Sequence, residues 1–490
     1  MNRTLVWLLA GGVSLALLVP SAGRADEKQI FRAGAAASNI TPALGGDIVG
    51  GFLPIPSKHI HDELHARCLV LDDGKTKLAM VVCDLLGIDR RVSDEARRQI
   101  AERASIPRDN VLICATHTHS ATSAIGSDHF KYDQPGDEYQ QFVARRIADG
   151  VTCAANNLRP AELAFLKVEA PEHVFNRRWF MRPGTIPASP FADSTAFPSD
   201  LVKMNPEPGS PNLLDPAGPT DPVVSVLSVR GLDGHPISLF AAYSLHYVGG
   251  VGNAHISADY FAVFCDELTR LLDAERLDPP FVAMLANGTS GDINNINFRQ
   301  PRPAQEPYAQ MRAVASDLAK RVQEALANAR YSHEITLDAR YRELSIGCRR
   351  PNQEQVAWAK KTLAERPLSP GRADLGAIYA ERTLRMADYP AALPMPLQVL
   401  RLGSVCIGTM PNEVFCEIGL EFKRRSPFAD SFMVSLAHGY YGYLPTPRHH
   451  DLGGYETWMG TNRLEKQASE KMLAELLDMA GEMKKDKKAE

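Results

Sequence analysis

The sequence predicts an α/β protein in which mixed β-sheets are covered by helices, folded as a single large domain. Short apolar segments alternate with amphipathic helical patterns along the chain, and no shift in composition divides it. The chain has 490 residues, of which 44% are hydrophobic and 23% are charged. This composition is typical of a globular protein that can bury a large core without metals or disulfides.

Two hairpins are predicted, because in each case an Asp-Gly turn separates two apolar segments. The first hairpin joins residues 69–71 to residues 78–83, and the second joins residues 223–229 to residues 237–243.

Apolar stripes at helical spacing predict three amphipathic helices whose apolar faces point into the core. They consist of Val143, Ile147 and Val151, of Phe261, Phe264, Leu268 and Leu271, and of Met311, Val314, Leu318, Val322 and Leu326. A further helical pattern begins at Glu413. Residues 181–222 contain ten prolines and no sustained periodicity. We expect them to form an extended arm over the surface or a lid that shapes the entrance to a site.

Residues 1–25 are predicted to be a secretory signal peptide, which implies an exported protein, periplasmic or secreted. Arg3 supplies a positive start, residues 5–19 are mostly apolar, and small residues precede a cleavage point after Ala25. An uncleaved membrane anchor is the alternative, although the apolar stretch is short for a membrane span.

The rest of the chain divides into a folded domain, residues 26–480, and a Lys-rich tail, residues 481–490. No segment in it has an uninterrupted apolar run long enough for a transmembrane helix. The 54 Lys and Arg residues against 58 Asp and Glu give a net charge of -4, and no basic stripe is interleaved with aromatic residues. Nucleic acid is therefore not expected as a partner. The sequence does not indicate an oligomeric state.

Four of the eight cysteines lie inside apolar runs: Cys83, Cys114, Cys153 and Cys406. Burial as free thiols is the better interpretation of these four, even in an exported protein. No CxxC motif occurs, so a thiolate zinc site has no support.

Polar side chains follow several predicted strands at the points where the strands end. A buried strand at residues 110–115 leads directly into His117 and His119, and the second hairpin leads into His246. An HxH pair can direct both imidazoles to one side, as metal sites require, although the pair alone is equally compatible with a structural role. The recurrence of His, Asp and Glu at strand ends favours a functional site, because α/β proteins carry their sites on these loops.

Four tyrosines lie among glycines and prolines in residues 438–457. A core strand would not have this composition, so the segment favours binding, with stacking at the surface as the alternative.

Several motifs together resemble the neutral/alkaline non-lysosomal ceramidase family. They are THTHS at residues 116–120, Asn176-Arg177, the strand end at His246, Pro411-Asn412-Glu413, and Tyr443 followed by Tyr455-Glu456. They occur in the family's order over roughly residues 32–460.

The resemblance implies a zinc amidohydrolase of mixed α/β type, with Zn²⁺ as its cofactor. It assigns the zinc to His117, His246, Glu413 and Tyr443, and it assigns contacts with the substrate to His119, Arg177 and Tyr455. Two imidazoles, a carboxylate and a phenolate suit Zn²⁺ with one open position for water. The expected reaction is cleavage of an N-acyl amide bond, in ceramide or in a related lipid or small molecule.

Departures from the family pattern leave the substrate open. The longer family members carry a C-terminal immunoglobulin-like domain, which we do not expect here. His438 stands where those enzymes have an asparagine, and residues 121–124 replace a Gly-rich run.

Rival classes differ from this expectation in testable ways. A metallo-β-lactamase needs an Asp-His pair soon after its HxH motif, which this chain lacks, and the hairpins do not fit the regular repeats of a TIM barrel. An exported binding protein that uses the tyrosine-rich loops for a glycan is the non-enzymatic alternative, and it would need no metal.

Overall fold

The structure is a computed structural model that describes residues 30–126, 130, 135–369 and 371–486. The predicted signal peptide lies outside the described residues, so export stays a prediction. Of the Lys-rich tail, residues 481–486 continue the last helix, and residues 487–490 lie outside the described part of the chain.

The helices of the described residues, in chain order, are α1 (Arg90–Ala104), α2 (Glu138–Asn156), α3 (Asp259–Leu271), α4 (Ala309–Leu326), α5 (Gln353–Glu365), α6 (Leu375–Ala387), α7 (Cys416–Arg425), α8 (Pro447–Leu452) and α9 (Ala468–Asp486). None of these helices is both long and apolar enough to cross a membrane.

The strands of the described residues are β1 (Arg32–Asn39), β2 (Asp47–Ile48), β3 (Ile55–Pro56), β4 (His59–Ile60), β5 (His65–Asp72), β6 (Lys77–Cys83), β7 (Val111–Ala115), β8 (Arg159–Glu169), β9 (Phe175–Asn176), β10 (Arg178–Met181), β11 (Val202–Met204), β12 (Leu213–Pro216), β13 (Val223–Gly231), β14 (Pro236–Tyr243), β15 (His255–Ile256), β16 (Val282–Asn287), β17 (Ile293–Asn294), β18 (Leu337–Gly347), β19 (Ala392–Leu402), β20 (Val405–Thr409), β21 (Glu413–Val414), β22 (Asp430–Val434) and β23 (Tyr443–Leu444).

Eight strands form the main sheet in the order β16-β14-β13-β8-β1-β5-β6-β7. The pairs β14–β16 and β6–β7 are parallel, and the pairs between them are antiparallel. The sheet curls until its edge strand β16 lies against β5, β6 and β7. This curl brings the carboxyl ends of strands from opposite edges of the sheet close together.

A smaller sheet, in the order β18-β19-β20-β22, packs on one face of the main sheet. Met80 and Phe240 of the main sheet share one buried core with Leu400 and Phe432 of the smaller sheet. The opposite face of the main sheet is covered by α1 and α2 at one side and by α3 and α4 at the other. Helices α7 and α9 cover the smaller sheet. The result is four layers, helices on two sheets on helices, and it confirms the predicted mixed α/β fold class.

Both predicted hairpins are present, as β5–β6 and β13–β14. Each turn has its glycine at a φ of 86°, at Gly74 and Gly234, a left-handed conformation that glycine adopts without steric cost. The buried strand predicted at residues 110–115 is β7, and the three apolar stripes lie on α2, α3 and α4.

The prediction that a helix begins at Glu413 is wrong about its first residue. Glu413 belongs to the short strand β21, because its backbone N–H donates to the Gly442 carbonyl at 3.1 Å. Helix α7 begins only at Cys416.

Cys153 departs from the predicted burial of thiols in apolar runs. It is exposed on α2, whereas Cys83, Cys114 and Cys406 are buried. The apolar run around Cys153 belongs to an amphipathic helix, in which only one face is buried.

The proline-rich segment, residues 181–222, is an arm with short strands of its own. Its strands β11 and β12 both pair with β10 and form a three-stranded sheet. Phe191 and Phe197 of the arm stack on each other and pack against Trp358 of α5. This packing favours the arm over the lid among the two predicted alternatives.

Candidate metal centre

His117 is held rigidly just beyond the end of β7. Its backbone N–H donates to the Leu85 carbonyl at 2.9 Å, and its Nδ1 lies 2.7 Å from the Leu86 carbonyl oxygen. The residue has a φ of 71°, which is uncommon for a side chain larger than glycine. A hydrogen bond from Nδ1 to a carbonyl leaves Nε2 free as a donor to a metal, the usual arrangement of metal-binding histidines.

His246 follows β14 and is fixed in the same manner. Its Nδ1 lies 3.0 Å from the Ser290 carbonyl oxygen and 3.3 Å from Ser290 Oγ. Ser290 Oγ donates to Asn287 Oδ1 at 2.7 Å, and Asn287 Nδ2 donates to the Thr116 carbonyl at 3.0 Å. This chain of hydrogen bonds joins the loop that carries His246 to the strand end before His117.

Glu413 and Tyr443 are direct partners in the parallel pair β21–β23, so their side chains leave the pair on the same side. Tyr440 donates to Glu413 Oε1 at 2.7 Å, which leaves Oε2 directed at the histidines. Glu413 Oε2 lies 3.2 Å from His117 Nε2 and 3.7 Å from His246 Nε2.

The donor atoms of this cluster have the separation and the unmet bonding that a metal ion requires. Atoms bound to one tetrahedral zinc at about 2.0–2.1 Å lie roughly 3.3–3.4 Å apart. His246 Nε2 and Glu413 Oε2 are buried and have no hydrogen-bond partner within the described structure. A buried polar atom left unpaired costs free energy. The residues present therefore fit a bound divalent cation.

His119 also belongs to this cluster, because its Nε2 lies 3.2 Å from His117 Nε2. The ring nitrogens of His117, His119 and His246 that could hold a metal all lie within 4.8 Å of one another. His119 is half-buried, and its ring stacks on Tyr247 with centroids 3.8 Å apart. By distance alone His119 can be a ligand or a group that faces the substrate.

Arg177 is buried behind the cluster and touches it through Tyr443. Its Nη2 donates to Tyr443 Oη at 2.9 Å and to the Gly291 carbonyl at 2.8 Å, and its Nε donates to Glu456 Oε1 at 3.0 Å. Glu456 Oε2 accepts a second bond from Arg178 at 2.6 Å. One buried carboxylate thus holds two arginines, and Arg177 reaches the donor set without lining the cavity.

Electrostatics favour an ionised Glu413 and neutral imidazoles at His119 and His246. Burial opposes the charge on Glu413, but His117, Tyr443 and Tyr440 outweigh it and lower the pKa of Glu413 to about 2. Burial lowers the pKa of His119 and of His246 well below the usual range. Neutral imidazole and ionised carboxylate are the forms that bind metal.

A cavity of about 430 Å³ opens onto the cluster, and this volume is in the range of small-molecule sites. Tyr455 lines it together with His119, and burial raises the pKa of Tyr455 to about 12. One wall is the segment Gly50–Phe52. The predicted role of the proline-rich arm as its entrance does not fit, because no arm residue lines the cavity.

Two polar residues near the site do not belong to the donor cluster. Asp292 is structural, because it accepts hydrogen bonds from the Cys416 N–H at 2.8 Å and from Asn176 Nδ2 at 2.7 Å. His438 lies 3.1 Å from Gln398 Oε1 and does not join the donor cluster.

Sequence reasoning missed three side chains that support the site: Tyr440, Ser290 and Tyr247. Each had a signal nearby, since Tyr440 lies in the tyrosine-rich segment, Ser290 in the Gly-rich turn after β16, and Tyr247 directly after His246. The residues that they contact lie far away along the chain, and a local sequence pattern does not indicate such contacts.

Gly50 is needed where the backbone passes the ring of His119. It has a φ of 131°, and a Cβ atom there would lie 2.8 Å from His119 Cγ. We expect Gly50→Ala to displace His119 and to lower kcat by roughly 10²-fold, because small misplacements of a reacting group are costly. Gly51→Ala is the matched control, since its Cβ would meet nothing closer than 3.8 Å. Equal kcat values for the two variants would contradict this role.

Buried imidazole and carboxylate donors at the strand ends of a mixed α/β fold are typical of metal-dependent hydrolases. The family model described as neutral/alkaline non-lysosomal ceramidase, N-terminal, matches residues 31–306. This match covers more than half of the chain, and the chain belongs to that family, whose members are hydrolases of amide bonds.

Two solved structures are similar in fold. A ceramidase complexed with C2 superposes with a TM-score of 0.67 at 18% sequence identity, and the alignment covers 94% of this chain and 76% of the other. The neutral ceramidase from Pseudomonas aeruginosa superposes with a TM-score of 0.62 at 18% identity, covering 92% of this chain and 74% of the other. At this level of identity the likeness extends to the fold alone.

Proposed function

We propose that the protein is an exported, zinc-dependent amidohydrolase that cleaves the N-acyl amide bond of a ceramide-like or related substrate. The observation that carries the proposal is the convergence of His117, His246 and Glu413, with two buried donor atoms left unpaired, on a cavity of small-molecule size. Family membership supports the amide bond as the target.

His117, His246, Glu413 and Tyr443 would hold the zinc in this proposal. When bound, the ion supplies Lewis-acid chemistry that polarises a carbonyl oxygen and lowers the pKa of water. Burial raises the pKa of Tyr443 well above its usual range, whereas Arg177 acts in the opposite direction. Arg177 is therefore proposed as a positioning residue, which favours the phenolate form of Tyr443 and holds its oxygen toward the donor set.

His119 and Tyr455 are the proposed groups that touch the substrate. Tyr455 keeps its proton at neutral pH, because of its raised pKa, and can donate a hydrogen bond to the carbonyl oxygen as negative charge develops. His119 is neutral, and its Nε2 can take up a proton and return it to the leaving amine.

The acyl half of the substrate has a candidate groove beside the cavity, about 770 Å³ in volume. Groove and cavity share the wall residues Asp47, Val49, Ser123 and Gly126. Leu44, which is 55% exposed, and Phe142 give it an apolar part beside the charged residues of its rim. Apolar side chains left exposed next to a catalytic cavity suit an acyl chain.

Leu44→Asp should reduce the preference for long acyl chains. Each buried CH₂ group contributes about 0.8 kcal/mol, so a polar wall removes part of the gain from every added carbon in contact with it. We expect kcat/KM measured over an acyl-length series to rise less steeply in this variant than in the wild type. Leu232→Asp is the control, because Leu232 is 59% exposed in the β13–β14 turn. Identical slopes in both variants would exclude Leu44 from the acyl site.

The glycan-binding alternative loses support, because three of the four tyrosines of residues 438–457 are engaged in contacts inside the protein. Tyr440 donates to Glu413, Tyr443 accepts from Arg177, and Tyr441 is only 3% exposed. The fourth, Tyr455, lines the cavity beside the donor cluster and not an open surface.

The experiment that tests the proposal is a screen of N-acyl amides with the purified protein, with chelator, and with chelator followed by zinc. Release of fatty acid that the chelator abolishes and zinc restores is the expected result. Hydrolysis that is insensitive to chelation, or no hydrolysis of any amide, would overturn it.

A further inference from the structure

The cavity at the metal centre has a wall that the acyl groove does not share. This wall contains an arginine of α6, and we call it the arginine wall. It consists of Arg382, Phe52, Gly460 and Thr461, which line the cavity together with the donor residues and are absent from the lining of the groove. A substrate whose acyl half lies in the groove therefore has this part of the same cavity open to its amine half.

Arg382 is held in place by uncharged neighbours. Its Nη1 donates to Thr461 Oγ1 at 3.2 Å and to Tyr379 Oη at 3.4 Å. Its guanidinium carbon lies 5.8 Å from the ring centroid of Phe52 and 5.1 Å from that of Tyr379. Gly460 makes room for the aliphatic part of the side chain, since a Cβ atom there would lie 2.7 Å from Arg382 Cβ. The guanidinium is thus oriented before any ligand binds.

The positive charge of Arg382 has no partner among the described residues. None of their carboxylates forms an ion pair with it, and its Nε and Nη2 have no hydrogen-bond acceptor in this part of the chain. Arg385, one turn further along α6, is bound to Glu381 instead. Arginine binds carboxylates and phosphates through charge-assisted hydrogen bonds. A half-buried, unpaired guanidinium in a cavity wall therefore favours an anionic ligand.

The other charged residues of the lining do not cancel this preference. Of the two carboxylates among the described lining residues, Glu413 belongs to the donor cluster, and Asp47 is exposed on the wall shared with the groove. Arg463 is a second arginine of the lining, and it is buried. The arginine wall itself contains no acidic residue.

Tyr455 connects the arginine wall to the donor cluster. Its ring centroid lies 6.1 Å from that of Phe52 and 5.8 Å from that of Tyr443. Burial raises the pKa of Tyr455, and the nearby charge of Arg382 acts in the opposite direction. One small molecule can therefore contact Tyr455 with its carbonyl oxygen and Arg382 with a group further along its amine half.

We propose that Arg382 binds an oxyanion on the amine half of the substrate, so that N-acyl amides with an anionic amine half are preferred over neutral ones. The inference rests on the proposed function and narrows its substrate class. A carboxylate, as in an N-acyl amino acid, and a phosphate ester are two sources of the same chemistry. Ceramide itself carries no such group.

The test compares kcat/KM within two matched pairs of substrates that share one acyl chain. N-lauroyl glutamate is paired with its uncharged diamide, and N-lauroyl phosphoethanolamine is paired with N-lauroyl ethanolamine. We expect the anionic member of at least one pair to exceed the neutral member by about tenfold or more, since hydrogen bonds to charged groups contribute that much. The pair with the larger ratio identifies the source of the oxyanion.

Arg382→Gln removes the charge and retains a polar side chain beside Thr461. This variant should lower the anionic-to-neutral ratio of kcat/KM by about tenfold, mainly through a higher KM for the anionic substrate. Loss of a merely structural contact would lower kcat/KM for both members of a pair and leave their ratio unchanged. Arg385→Gln is the matched control, because Arg385 lies on the same helix and does not line the cavity. It should keep the ratio of the wild type.

Equal kcat/KM within both pairs, or a ratio in Arg382→Gln equal to that of the wild type, would overturn the inference. The comparison of wild-type rates decides the matter even if Arg382→Gln does not fold. Chelator-sensitive hydrolysis of the neutral amides would leave the proposed function standing in either case. If no N-acyl amide is hydrolysed, the proposed function fails, and the inference fails with it.

Discussion

His117→Ala, His246→Ala and Glu413→Ala are each expected to lose bound zinc and, with it, amide hydrolysis. Each substitution removes one donor from a cluster in which Glu413 Oε2 lies 3.2 Å from His117 Nε2 and 3.7 Å from His246 Nε2, so a bound ion would lose one of its ligands. Loss of a metal that stabilises transition-state charge by several kcal/mol corresponds to a fall in kcat of about 10³-fold or more.

Elemental analysis of the purified variants, together with hydrolysis of an N-acyl amide, checks this expectation. His235→Ala is a suitable control, because His235 is exposed in the β13–β14 turn and should leave zinc content unchanged. A full zinc content in all three donor variants would show that the proposed metal centre is wrong. Tyr443→Phe extends the series. It removes the phenol oxygen, which accepts a hydrogen bond from Arg177 and is the fourth proposed zinc ligand.

His119→Ala is expected to retain zinc and to lose turnover by roughly 10²–10³-fold, the effect of removing one group that stabilises the transition state. The expectation rests on the position of His119 between the cavity and Tyr247, and on the presence of a complete donor set without it. Its Nε2 is close enough to His117 to make the opposite result physically possible.

The measurement separates the two roles because zinc content and kcat are determined on the same preparation. Loss of both together would make His119 a metal ligand. His61→Ala is the matched control, since it alters the second histidine of another HxH motif, which is exposed and carries none of the donors. The Gly50→Ala variant should resemble His119→Ala in retaining zinc, because it displaces the same ring.

The strand ends could be predicted from the sequence, because apolar runs stop abruptly at polar residues. This pattern pointed to His117 and His246, which the structure places close together. Glu413 was also found, but its local structure was misassigned, since the helical pattern that follows it extends over α7 and masks a two-residue strand. A pairing as short as β21–β23 depends on a partner thirty residues away, and local periodicity carries no record of it.

The curl of the main sheet could not be predicted. The alternation of apolar and polar residues along a strand indicates which face of the strand is buried. It does not indicate how far a sheet of eight strands bends. Without the curl, β7 and β14 would be well separated in the strand order, and His117 and His246 would not meet. Tyr440 and Gly50 were missed for a related reason, because each acts on a residue from a distant segment.

The donor set draws on both sheets, with His117 and His246 after strands of the main sheet and Glu413 after β20 of the smaller one. An ion bound there would cross-link the two sheets. The sheets could not come apart unless the ion lost some of its ligands. A ligand that binds only the native state stabilises it by RT ln(1 + [L]/Kd), so the stability grows with the concentration of free ligand. Under the proposed zinc dependence, the thermal stability and the activity of this hydrolase would both increase with the concentration of available zinc. When zinc is scarce, the unfolded fraction would grow, and the amount of protein would fall together with its activity.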